Sequence, residues 1–136
     1  MKLFFPLLFL FFIQTAFPQV VKLNTSQSFQ FTEGPAWDGK GALYFSDMNA
    51  KRVYKYVPEK GFSIIRTGQI TNGMAFDSTG YLIVCEQGPT NEVVRMDTLG
   101  NVLKVIVNRY NSKPFNNPND LCLDQKGGIS DFLIPI

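Results

Sequence analysis

Three stretches of this chain repeat one another in register. Ala36-Trp37-Asp38, followed by Gly41 and Leu43-Tyr44-Phe45, is answered by Ala75-Phe76-Asp77, then Gly80 and Leu82-Ile83-Val84. Every position is displaced by 39 residues (38 to 77, 41 to 80, 43 to 82). Arg52-Val53-Tyr54-Lys55-Tyr56, closing at Gly61, is answered with a one-residue slip by Glu92-Val93-Val94-Arg95-Met96, closing at Gly100. A third copy opens at Cys122-Leu123-Asp124, with Gly127 and Ile129, displaced by 47 from the second (77 to 124).

Within each copy the runs are short, β-branched or aromatic, and bounded by Gly, Asn, Asp or Pro, which is the composition of strands and turns. Val102 to Val107 is a further run of this kind. No window of a dozen residues carries an apolar stripe of helical period. The fold class is all-β. A period of about 40 to 45 residues built from several short strands marks a propeller blade. In each unit an apolar strand enters the core, Asp and Gly turn the chain, and a second apolar strand returns. A third, more polar strand carries Lys or Arg outward. One such sheet cannot bury both faces alone, so the units must stack around an axis. A β-sandwich with coincident turn spacing is the competing architecture.

The innermost strand of a blade faces the central channel. Carried back along the repeat, Glu33-Gly34-Pro35 becomes Asn72-Gly73-Met74 and then Asn119-Asp120-Leu121. Glu33, Asn72 and Asn119 therefore hold one equivalent position, each opening an inner strand. A carboxylate and two amide oxygens converging on an axis suit Ca²⁺ or a similar hard cation. Asn-Gly and Asn-Asp are also ordinary turn dipeptides, so Asn72 reads equally well as a turn residue. Glu33 enters a core in this reading, an expensive place for an unpaired charge.

Composition narrows the chemistry. The chain has no histidine, which removes a Ser-His-Asp triad, a Cys-His pair and His-ligated zinc or haem. With no CxxC either, a metal site must be built from oxygen. A net charge of +2, without a basic run, points away from nucleic acid. Cys85 and Cys122 sit in apolar strand-like runs and are expected as buried thiols, with a disulfide between them as the alternative. Lys2 followed by the apolar run Leu3 to Ile13 reads as a signal peptide over residues 1–19. The run is too short for the roughly 20 residues of a membrane span. The expected location is secreted or periplasmic, with no membrane association once the signal is removed.

The strings Phe31-Thr-Glu-Gly-Pro-Ala-Trp37, Thr71-Asn-Gly-Met-Ala-Phe-Asp77, Leu82-Ile-Val-Cys-Glu86 and Asn117-Pro-Asn-Asp120 resemble the gluconolactonase, senescence marker protein (regucalcin) and luciferin-regenerating family. They keep that family's order and spacing from about Phe31 to Ile129. The resemblance implies a six-bladed β-propeller, of which residues 20–136 would supply about the first two and a half blades. It implies an axial divalent cation, commonly Ca²⁺, with Glu33 and Asn119 as ligands. Asn72, Asn117 and Asp120 would be substrate-pocket residues. It further implies hydrolysis of a lactone, with a sugar lactone as the small-molecule partner. The catalytic base would lie beyond Ile136, so the chain alone is expected to be weakly active or inactive. A non-catalytic sugar- or peptide-binding propeller with a structural cation is the rival function, and pairing of half-rings a rival assembly. Two departures stand out. Cys85-Glu86-Gln87-Gly88 carries Gln where family members often have His, and Ile129-Ser130-Asp131 is two residues shorter than Leu43 to Asp47.

Overall fold

The computed structural model describes residues 25–124 and 126–132; the apolar leader lies outside them. Among the described residues there is no helix. β1 (Thr32–Trp37), β2 (Leu43–Asp47), β3 (Arg52–Val57) and β4 (Gly61–Thr67) form one antiparallel sheet in chain order. β5 (Ile70–Phe76), β6 (Leu82–Gln87), β7 (Glu92–Met96) and β8 (Val102–Val107) form a second with the same order. A small hairpin, β9 (Arg109–Tyr110) with β10 (Lys113–Pro114), leads to β11 (Asp120–Leu123) and β12 (Ile129–Phe132), which pair as the next unit begins.

Each complete unit has four strands rather than the three its sequence suggests. The fourth, β4, alternates only loosely, with exposed residues in mid-strand, so its pattern is weak. The shortened third copy still pairs: Leu123 faces Ile129 and Asp120 faces Phe132.

The turns repeat as faithfully as the strands. In each, an Asp N–H donates to the carbonyl four residues on, and the Asp carboxylate accepts backbone N–H groups at positions two and four beyond it. Asp38, Asp77, Asp97 and Asp124 all do this. The turn needs a residue at positive φ, which Gly80 supplies at 86°. Asp77 has further partners. Thr79 Oγ1 donates to Oδ1 at 2.7 Å and Arg95 Nε to Oδ2 at 2.8 Å, with Arg95 lying over the Tyr81 ring. Burial alone would raise the Asp77 pKa, but the hydrogen bonds from Thr79, Tyr81 and Arg95 outweigh it and hold the group at about 2.

The core lies between sheets. Tyr44, Val53, Leu82, Val84, Val94 and Met96 fill the space between the first two. Ile83, Cys85 and Val93 face the other way, against Phe115 and Leu121. Alternation along β6 thus buries both faces of the second sheet. Arg66 on β4 bridges the two sheets, donating to Glu86 Oε1 on β6 at 2.6 Å and to the Gly100 carbonyl at 3.3 Å. Burial raises the Glu86 pKa, and the Arg66 charge and hydrogen bond only partly offset it.

No disulfide joins Cys85 and Cys122. Cys85 is buried as expected, whereas Cys122 is exposed. The reason is the strand period: Leu121 and Leu123 pack toward the second sheet, and the residue between them faces away.

Candidate functional site

The inner edges of the units meet: β1 packs on β5, and β5 on β11. The ladders are irregular within one residue of the equivalent place in both complete units. In β1–β2 the register passes from Glu33↔Ser46 to Ala36↔Tyr44, and in β5–β6 from Thr71↔Glu86 to Met74↔Val84. Gly34-Pro35 and Asn72-Gly73 are the bulged pairs, released from regular pairing as bulges commonly are where a strand must re-aim a side chain.

These bulges let the strands approach more closely than side chains allow. Gly34 has φ 53°, and a Cβ on it would lie 2.2 Å from the Asn72 carbonyl oxygen. A Cβ on Gly73 would lie 2.2 Å from Asp120 Oδ1 and 2.6 Å from the Asp120 Cα. Both glycines follow the equivalent polar position, and steric demand accounts for both. Asn72-Gly73 is accordingly not a turn; it lies within β5.

Polar contacts tie the three openings together. Ser46 Oγ shares its proton between the carbonyl oxygens of Glu33 (3.1 Å) and Asn72 (2.8 Å). Gly73 N–H donates to the Asn119 carbonyl at 2.8 Å. Asn72 Nδ2 donates to Asn119 Oδ1 at 2.5 Å. Asn72 is buried and Asn119 half-buried. Glu33 is exposed, so the expectation that it enters a core is corrected: it precedes Ala36, the first buried residue of β1.

The other two expected residues have different surroundings. Asn117, at φ 50°, is exposed; its Oδ1 accepts from Gly88 N–H at 3.2 Å and its N–H donates to Asn91 Oδ1 at 3.0 Å. Asp120 Oδ1 accepts from Leu121 N–H at 2.9 Å, on the far side of Gly73 from Gly34. Sequence reasoning passed over two contributors. Ser46 links two strand openings, and Gln87 Nε2 donates to the Pro118 carbonyl at 3.1 Å.

The donors that meet at these openings are oxygens: the Asn119 amide oxygen, the backbone carbonyls of Glu33, Asn72 and Asn119, and the Asp120 carboxylate beside Gly73. Glu33 itself is exposed and lines a surface groove with Phe29, Phe45 and Phe62. Among the described residues no three His, Cys, Asp or Glu side chains cluster. An all-oxygen donor set of this kind, completed by water, is the chemistry that hard cations take. Asn119 Oδ1 retains a second lone pair beyond the one that accepts from Asn72.

Residues 31–130 match the family described as SMP-30/Gluconolactonase/LRE-like region. A gluconolactonase of Zymomonas mobilis is 33% identical over 115 residues, which cover 74% of this chain and 32% of the relative. A gluconolactonase structure from Xanthomonas campestris superposes with a TM-score of 0.68 at 32% identity, covering 74% of this chain and 34% of that one. A putative gluconolactonase structure gives 0.68 at 27% identity, with coverages of 76% and 36%. A luciferin-regenerating enzyme shares the fold, with a TM-score of 0.58 at 16% identity. The chain thus spans about a third of the length of these relatives. The two four-stranded sheets are blades of a β-propeller, and β11–β12 begin the next.

Proposed function

The chain belongs to the SMP-30/Gluconolactonase/LRE-like family, and from that premise we propose that it contributes the Glu33 and Asn119 ligands of a cation-dependent lactone hydrolase. Ca²⁺ is the ion in this reading and a sugar lactone the substrate. A hard divalent cation bound there supplies Lewis acidity to a lactone carbonyl.

The chain's own residues have narrower tasks. Glu33 brings the negative charge. Asn119 brings a neutral oxygen whose direction Asn72 fixes. The glycines at 34 and 73 let three inner strands crowd close enough for their polar openings to act together. Asn117 and Asp120 flank the Pro118-Asn119 segment, and in this reading a polar ring substituent would meet them.

One observation supports the reading above others: the side chains of Asn72 and Asn119, 47 residues apart, are hydrogen-bonded to each other beside the strand that carries Glu33. Calorimetric titration of the chain with Ca²⁺ tests it. Glu33→Gln removes the charge while keeping the shape and should weaken binding at least about tenfold, since each 1.4 kcal/mol is tenfold in affinity. An unchanged affinity refutes the assignment.

A further inference from the structure

Asn119 is held at three points, and every partner comes from the second blade. Asn72 Nδ2 holds its side-chain oxygen at 2.5 Å, and Gly73 N–H holds its own carbonyl at 2.8 Å. Gln87 Nε2 holds the carbonyl of the residue before it, Pro118, at 3.1 Å. The Pro118–Asn119 peptide is planar, so fixing that carbonyl fixes the plane from which Asn119 departs. Pro118 is itself buried, and its ring sets φ, which leaves few ways for the loop to relax. Gln87 is anchored in turn: its backbone carbonyl accepts from Gln69 Nε2 at 2.8 Å, and the same Nε2 donates to Thr90 Oγ1 at 3.0 Å.

We infer that Gln87 is a positioning residue for Asn119, orienting its amide oxygen by hydrogen-bonding the preceding peptide. The effect on an ion rests on the cation reading above; the orientation of Asn119 does not. Outer-shell partners of a metal ligand that are removed typically cost about 10- to 100-fold in affinity, because the ligand must then be ordered on binding.

Two readouts separate these parts. Nuclear magnetic relaxation of the Asn119 side-chain amide, without added ion, reports order directly. It should be rigid in the parent chain and loosened in Gln87→Met, which removes the N–H donor at similar size. Gln87→His, which keeps a ring N–H, should restore order at least partly. Gln87→Glu keeps the shape without the donor and serves where the Met variant fails to fold. In Ca²⁺ calorimetry Gln87→Met should weaken binding about tenfold, with no further loss in an Asn119→Ala background. An Asn119 amide as ordered in Gln87→Met and Gln87→Glu as in the parent overturns the inference. So does an undiminished Gln87→Met effect in the Asn119→Ala background. Absence of Ca²⁺ binding by the parent chain removes the cation reading and leaves the relaxation experiment to decide the role of Gln87.

Discussion

Replacing Asp77 by Asn should convert a pH-dependent part of the fold's stability into a constant. The carboxylate accepts from Thr79 N–H and Oγ1, Tyr81 N–H and Arg95 Nε, and its pKa falls from 3.8 to about 2. At about 1.4 kcal/mol per pKa unit, this amounts to about 2 kcal/mol of stability at neutral pH. The sign follows from the depressed value. The contribution is present in full above the unfolded pKa, and it fades as pH falls from about 4.5 to about 2, where native and unfolded chains both take up the proton. Asn keeps an acceptor for the turn but offers an N–H₂ or a neutral oxygen to Arg95. Urea unfolding of Asp77→Asn beside the parent chain, at intervals from pH 6 to pH 2, isolates this group from the other carboxylates. The gap between them should stand near 2 kcal/mol at pH 6 and close to under about 0.5 kcal/mol at pH 2. A gap that stays constant across the range refutes the argument and places the effect of the substitution in packing.

Two further perturbations probe contacts between blades. Gly73→Ala drives a methyl into the Asp120 backbone and should cost about 1–3 kcal/mol in urea unfolding, with Ca²⁺ affinity falling in parallel; full stability would mean the strands can part freely. Arg66→Ala strands the Glu86 carboxylate, which is 2% exposed, and should cost about 3 kcal/mol at pH 7. The Glu86 pKa already lies above its ordinary value, so the charged form is the one the fold penalises; the cost should shrink as pH drops and the group protonates. A cost that grows toward acid pH would contradict this.

Much of the architecture was legible because the repeat carries its own register. Asp38, Asp77 and Asp124 mark the same turn, and the alternation of Leu82 and Val84 against Ile83 and Cys85 spells a sheet buried on both sides. The equivalence of Glu33, Asn72 and Asn119 comes from the same arithmetic; the structure joins the Asn72 and Asn119 side chains to each other and links Glu33 to them through its backbone carbonyl and Ser46. What stayed hidden depends on partners remote in sequence. β4 owes its place to β3 rather than to any strong pattern of its own. Exposure of Cys122 follows from which side of β11 faces the second blade, which the string Leu-Cys-Leu does not state. Gln87 looked like a mere departure from a motif, because the carbonyl it serves lies 31 residues further on. Ser46 and the bulges at Gly34 and Gly73 act only once two strands are side by side.

Among the described residues the ladders are all short-range: the widest partner pair is Ile70 with Gln87, and no strand pairs with one from another unit. Loop-closure entropy therefore opposes each sheet only weakly. Bringing Asn72 to Asn119 is a different matter, since it spans 47 residues and requires the second blade to meet the start of the third. Order of assembly is thereby written into the connectivity. Each meander can close as soon as its own strands exist, and the polar cluster comes last, a record of docking between neighbours rather than of the folding of either.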